Sequence, residues 1–205
     1  ENVRLQRVFK PKVLKIMVSS VVIFLFLLLL FIFRDYEEVP VLDKVEPFVM
    51  NTISQEEYNL ENDKVKLVTF FYTKCPDVCA MTMYDLQDLQ LQLQKEDLFG
   101  KKVELLSITL DPENDSNEVI RNYANAFDAN DNGWKFIRGT TTETKEIAGR
   151  FKVKYKKISG DFISHSTVMY LVDEKNRIRG IFDMANAKKA VDQEKIMETI
   201  KKIME

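Results

Sequence analysis

The sequence predicts an α/β protein: a central mixed sheet flanked by helices, preceded by one N-terminal transmembrane helix. Three observations carry this. Ile16 to Phe33 is a run of 18 uncharged residues, close to the roughly 20 that a spanning helix needs. Beyond it, short β-branched and aromatic runs alternate with helical stretches in the order β-α-β-α-β-α-β-β-α. Strands joined through helices run parallel, and the late strand pair adds an antiparallel member.

Along the chain, Val65 to Tyr72 reads as the central strand. Pro76 to about Leu98 is helical, with Val78, Thr82, Leu86, Leu89 and Leu93 on one face and Gly100 after it. Val103 to Leu110 is a second strand, broken by Asp111-Pro112, and Ser116 starts a helix to about Phe127. Trp134 to Ile137 is a short strand and Thr142 to about Phe151 a helix. Thr167 to Val172 and Arg177 to Phe182 form a hairpin around Asp173 to Asn176, and a last helix runs from about Ala187 to Met204. This is a thioredoxin-like order with an extra helix.

Composition narrows the function. The 205 residues carry 30 Lys+Arg against 32 Asp+Glu, a net charge of −2. Phosphate neutralisation needs a basic surface, so a dedicated nucleic-acid binder is excluded. Two cysteines cannot staple a disulfide scaffold, and one histidine cannot build a His-rich metal site. Arg4, Arg7, Lys10, Lys12 and Lys15 precede the apolar run, and Asp35, Glu37 and Glu38 follow Arg34. The positive flank stays inside, so the C-terminal part faces outward. Arg34-Asp35-Tyr36 is a poor cleavage site for a signal peptidase, so the run reads as an uncleaved anchor. Four segments result: a basic cytoplasmic segment 1–15, the anchor 16–33, a tether with a short extended piece 34–60, and the folded domain 61–205. Residues 35–205 carry 24 basic and 31 acidic side chains, an acidic domain.

The chemistry lies at the first strand-to-helix junction, Phe70-Phe71-Tyr72-Thr73-Lys74-Cys75-Pro76-Asp77-Val78-Cys79. Cys75 and Cys79 are one helical turn apart and can share a face if the helix begins near Pro76. A helix N-terminus and the neighbouring Lys74 favour thiolate. Two thiolates suit Cu(I) or Zn(II), cycle as dithiol and disulfide, or form a plain structural disulfide. The one histidine, His165, precedes the Thr167 to Val172 strand, whose entry faces the first helix's N-terminus in a thioredoxin-like fold. Thioredoxins place a cis-proline there. None of Pro11, Pro40, Pro47, Pro76 and Pro112 is available, and Ser166 takes that place.

Three stretches together resemble the Sco (SenC-type) family of copper chaperones: Phe71 to Cys79, Leu110-Asp111-Pro112-Glu113-Asn114-Asp115, and His165 to Leu171. The match spans about 65–185. The resemblance implies a thioredoxin-like fold and a copper site, Cu(I) or Cu(II), made by Cys75, Cys79 and His165. It implies delivery of copper to the CuA centre of cytochrome c oxidase subunit II or a similar copper protein, with a copper donor or thiol reductant upstream. It places the protein in a bacterial cell membrane or, alternatively, in the mitochondrial inner membrane facing the intermembrane space. Asp77, Asp111 and Asp115 match family positions and read first as turn and capping residues. Two departures stand out: Ala80 replaces a second proline, and no glycine precedes Gly100, which puts the family's N-terminal hairpin in doubt.

The residues keep rival readings open. A thiol–disulfide oxidoreductase would use Cys75 to attack and Cys79 to resolve, indifferent to His165. A peroxidase would need a threonine where Tyr72 stands. An inert disulfide would bind no metal. Met81 and Met83 are weak extra donors or plain helix packing. A three-donor site leaves zinc one ligand short of a closed structural site, which suits a metal that is passed on.

Overall fold

A computed structural model describes residues 11–34 and 39–205, in two units divided between Glu38 and Val39. The first unit contains α1 (Pro11–Arg34), a helix of 24 residues over the uncharged run. Its side chains are described over 15–29 and are exposed. Among the described residues no helix is long and apolar enough to cross a membrane. Arg4, Arg7, Lys10, Asp35, Glu37 and Glu38, on which the predicted orientation rests, lie outside the described residues.

The second unit runs β1 (Asp43–Lys44), β2 (Val49–Asn51), β3 (Glu57–Asn59), β4 (Val65–Phe71), α2 (Val78–Lys95), β5 (Val103–Thr109), α3 (Asn117–Asn125), β6 (Trp134–Ile137), α4 (Thr141–Arg150), β7 (Tyr155–Ser159), β8 (Phe162–His165), β9 (Val168–Val172), β10 (Arg177–Asp183) and α5 (Gln193–Met204). Six strands form one sheet in the order β1-β10-β9-β4-β5-β6. β4, β5 and β6 are parallel, joined through α2 and α3, and β9 lies antiparallel against β4. This is the predicted mixed α/β, thioredoxin-like architecture.

Every residue of β4 is buried because both faces of the sheet are covered. Leu67 and Phe71 face a layer of Leu86, Leu89 and Leu93 from α2 with Ile196 and Ile200 from α5. Val68 and Phe70 face Ile147 of α4, Phe151 and Tyr170. Two helices start on side-chain caps. Ser116 Oγ accepts from Val119 N at 3.2 Å, and Thr140 with Glu143 closes a capping box on α4.

Four local features depart from the sequence reading. The N-terminal hairpin β2–β3 forms without glycine, since Gln55 takes the left-handed position at φ 66°. The helix α2 starts at Val78, two residues late, because Pro76 and Asp77 still belong to the bend that carries Cys75. The ribbon β7–β8 has no counterpart in the predicted order, since Tyr-Lys-Lys-Ile-Ser shows no apolar alternation. Finally α5 begins at Gln193, where Asp192 accepts from Lys195 N at 3.0 Å; the preceding residues form a turn bridged between Asn186 and Lys189.

Far from the cysteines, Lys66 of β4 is fully buried and donates to the Asn62 carbonyl at 3.0 Å. Its ladder neighbour Glu104 is already paired with Lys64 at 2.6 Å and accepts from the Tyr58 hydroxyl at 3.2 Å. Burial pulls the Lys66 ammonium down to about 8 from 10.5, against the attraction of Glu104 and Asp173. The folded state therefore binds this proton less tightly than the unfolded chain. The cost is complete below pH 8 and is relieved as pH rises towards 10.5. Lys66→Met should raise stability at pH 7 by about 1–3 kcal/mol, since Glu104 keeps its other partners. The gain should shrink at pH 10. Urea unfolding at both pH values checks this, and a loss at pH 7 would mean the ammonium contributes net stability.

Candidate metal centre

Three elements bring the donors to one end of the sheet's central strands. β4 and β5 run parallel in register to Phe71↔Thr109, so the loops that follow them emerge side by side. β9 is antiparallel to β4, with Thr69 opposite Met169, so the chain enters β9 where β4 ends. Cys75 comes from the loop after β4, Cys79 from the first turn of α2, and His165 from the end of β8. Their ligand atoms all lie within 4.8 Å of one another. Cys79 is buried, while Cys75 and His165 are half-buried, so the site opens on their side.

The imidazole is oriented from behind. His165 Nδ1 lies 2.9 Å from the Ser166 carbonyl, which can only accept, so Nδ1 carries the hydrogen. Nε2 then presents its lone pair towards the sulfurs, 3.8 Å from Cys79 Sγ. Tyr72 stands edge-on to the imidazole, ring centroids 6.0 Å apart. Ser166 occupies the position where thioredoxins carry proline, and no peptide among the described residues is cis.

Both cysteines are free thiols that share one proton. The Cys79 thiol's hydrogen bond draws Cys75 down to about 4, against burial and with help from the backbone N–H groups of Asp77 and Cys79. Cys79 is pushed up by the same bond and by burial. A thiolate already sits beside a thiol, and a soft metal that binds both releases the shared proton. The predicted help from Lys74 is a misreading. Its ammonium pairs with Asp161 at 2.7 Å and is not among the groups that lower Cys75.

The loop is held by a residue that the sequence reading treated as a turn. Asp115 is fully buried; it accepts from Thr73 N at 3.2 Å and from the hydroxyls of Thr73 and Thr109. It ties the segment two residues before Cys75 to the end of β5. The signal was available in the family match but has no local signature. Asp111 accepts from Asn114 Nδ2 at 2.7 Å as a turn residue should. Asp77 stands at the N-cap of α2 without a side-chain capping bond. Met83 is core and Met81 packs against that core. A cleft of about 600 Å³ lined by Met50, Pro112, Arg138 and Thr140 does not include the three donors.

The comparisons agree with this geometry. The SCO1/SenC family model matches residues 49–205, with the three donors inside it. The chain belongs to the SCO1/SenC family. The SCO1 protein homolog of Bacillus subtilis is 30% identical over 140 residues, 66% of this chain and 71% of that one. The solved structure of BsSco, described as a member of the Sco family of cytochrome c oxidase assembly proteins with a disulfide switch, is 25% identical. It superposes with TM-score 0.69 over 82% of this chain and 98% of that one. Bradyrhizobium japonicum ScoI, solved with copper bound, shares the fold at TM-score 0.65 and 23% identity, over 78% and 99% of the two chains. Sco proteins of this fold thus hold copper, and this chain carries the Cys-Cys-His group.

Proposed function

We propose that this chain is a membrane-anchored copper metallochaperone that supplies the CuA centre of cytochrome c oxidase subunit II. The observation that carries it is the convergence of Cys75, Cys79 and His165 within 4.8 Å. Two sulfurs and an imidazole with its lone pair free suit Cu(I), and with a further donor Cu(II). Copper is cargo here. The half-buried Cys75 and His165 are the donors a partner's ligands reach first, so ligand exchange begins there and ends at buried Cys79. As the sulfurs leave the metal, Cys79 takes back one proton while Cys75 stays a thiolate.

Anchoring rests on the uncharged run 16–33 and its basic N-terminal flank; the copper-binding domain is the unit 39–205, since β1 joins the main sheet and Val45, Phe48, Tyr58 and Leu60 belong to its core, so the predicted tether 34–60 is folded from Val39 on. On this reading the domain faces the outside of a bacterial cell membrane. The human relative at 32% identity is a mitochondrial protein, which keeps the intermembrane-space alternative in view. A second reading has its own support: an accessible low-pKa Cys75 beside a buried protonated Cys79 is the arrangement of an attacking and a resolving thiol. That chain would reduce the target's cysteines before or instead of metal transfer.

The test mixes the reduced, copper-loaded full chain, in detergent micelles, with the metal-free soluble domain of subunit II. Copper is then counted on each partner after separation. One copper per chain, moving to the acceptor and building its CuA spectrum, is expected for wild type, with none held by Cys75→Ser or Cys79→Ser. A wild-type chain that holds no copper but reduces a disulfide in that domain would move the conclusion to the oxidoreductase.

A further inference from the structure

Tyr72 touches all three donors. It is the first residue after β4, and it is buried in the same apolar layer as its neighbour Phe71. Side chains alternate along a strand, so two neighbours on one side mark where the pleat ends and the loop of Cys75 begins. Cys75 N donates to the Tyr72 carbonyl at 3.2 Å and closes the turn. The Tyr72 backbone N–H donates to Cys79 Sγ. The ring stands edge-on to His165. The hydroxyl accepts from Ile163 N and donates to Cys75 Sγ. One residue thus holds the loop, both sulfurs and the imidazole together.

The phenol keeps its proton. Burial pushes the hydroxyl up to about 12, against the Ile163 N–H and with the Cys75 thiolate acting the same way as burial. At neutral pH it is therefore a donor. In the metal-free centre the Cys79 thiol is the strongest donor to Cys75. A metal that takes both sulfurs removes that thiol proton. The donors left on Cys75 are then the backbone N–H groups of Asp77 and Cys79 and the Tyr72 hydroxyl. Lys74 is turned to Asp161, and His165 presents a lone pair. Among the described residues, Tyr72 is the side-chain donor that remains. Hydrogen bonds to a ligating sulfur draw off its electron density, weaken its bond to the metal and favour the lower oxidation state. That donor falls on the half-buried sulfur, Cys75, and not on the buried one.

We propose that Tyr72 is a positioning residue that sets the order of release: its hydroxyl weakens the bond from Cys75 to copper, tilts the loaded centre towards Cu(I) and makes Cys75 the first sulfur to leave. Cys79, without the phenol's hydrogen bond, holds the metal until the acceptor's ligands are in place. This rests on the chaperone reading and deepens it, since it names the residue that lets the cargo go.

The test compares wild type, Tyr72→Phe and Tyr123→Phe as full chains in detergent micelles. Tyr123 is the control, because its hydroxyl is also buried but has no hydrogen-bond partner among the described residues. Tyr72→Phe should still load one copper per chain. Its sulfur-to-copper absorption should move to lower energy, and its preference for Cu(II) over Cu(I) should rise about tenfold, which is ~59 mV for one electron. Release of Cu(I) to a chelator should slow about three- to tenfold. A ring-fluorinated tyrosine at position 72, a stronger donor with the same packing, should shift absorption and potential the opposite way, which a merely structural role would not do. Iodoacetamide labelling of the reduced, metal-free chain needs no copper: Cys75 should react about threefold faster in Tyr72→Phe, since a thiolate freed from a donor is the stronger nucleophile. Tyr123→Phe should match wild type throughout. Labelling, absorption and potential unchanged in Tyr72→Phe, or equal shifts in the two phenylalanine variants, would overturn the proposal and leave the chaperone reading standing. A wild-type chain that labels as expected yet loads no copper overturns the chaperone reading and the release order with it.

Discussion

Replacing His165 by alanine should weaken copper binding by about a hundredfold or more, at or beyond the loss that follows removal of an outer-shell contact. The imidazole is one of three donors, and no other His, Cys, Asp or Glu among the described residues stands close enough to replace it. Its hydrogen bond to Ser166 already fixes the tautomer, so wild type has little reorganisation to undergo when the metal arrives. The dithiol should behave differently. The hydrogen bond from Cys79 is the largest cause of the low Cys75 pKa and survives the substitution. Cys75 and Cys79 should therefore still cycle between dithiol and disulfide with little change. Chelator competition for Cu(I), the sulfur-to-copper absorption of the Cu(II) form and a thiol-exchange assay on the same samples check this. If copper is held as tightly as in wild type, His165 is not a ligand; if exchange collapses as well, it supports the thiols rather than the metal.

Asp115→Ala should be the most damaging substitution outside the donors. The carboxylate is fully buried and accepts from one backbone N–H and two hydroxyls. Removing it strands the Thr73 N–H, which has no second acceptor nearby, while the hydroxyls can rotate towards other groups. The cost should be about 2–4 kcal/mol. Copper affinity should fall about 10- to 100-fold, because the segment before Cys75 loses its tie to β5. Asp115→Asn should be milder in stability, since its amide oxygen can still accept from Thr73 N. Urea unfolding and the same chelator competition separate the two effects. Full copper affinity in a destabilised Asp115→Ala chain would show that the tie serves the fold alone.

These residues also show what a single sequence reveals. The spacing of Cys75 and Cys79 and the strand before them were enough to locate the chemistry, because a strand-to-helix turn is a local event governed by neighbouring residues. His165 was legible only through topology, since the residue is 86 positions from Cys79 and its approach depends on β9 pairing antiparallel with β4. Asp115 looked like one more turn aspartate, because nothing within its own loop reveals that Thr73 will come to lie against it. Lys74 misled for the converse reason: adjacent to Cys75 in sequence, it is turned aside by Asp161, which the ribbon brings from 87 positions away. The ribbon itself escaped notice because its lysines and exposed apolar residues answer to a surface rather than to a core.

The amino-acid sequence by itself determined the α/β order, the central strand β4, the start of α3 at Ser116, and the two sulfurs at the first junction. All of these follow from interactions spanning a few residues or from the pattern of apolar side chains. Only the tertiary structure decided that one imidazole faces those sulfurs, that a buried carboxylate braces their loop, and that Lys74 pairs with Asp161. Those outcomes depend on which distant segments the sheet places side by side, and that placement comes from strand pairing and core packing rather than from any local preference of the residues concerned.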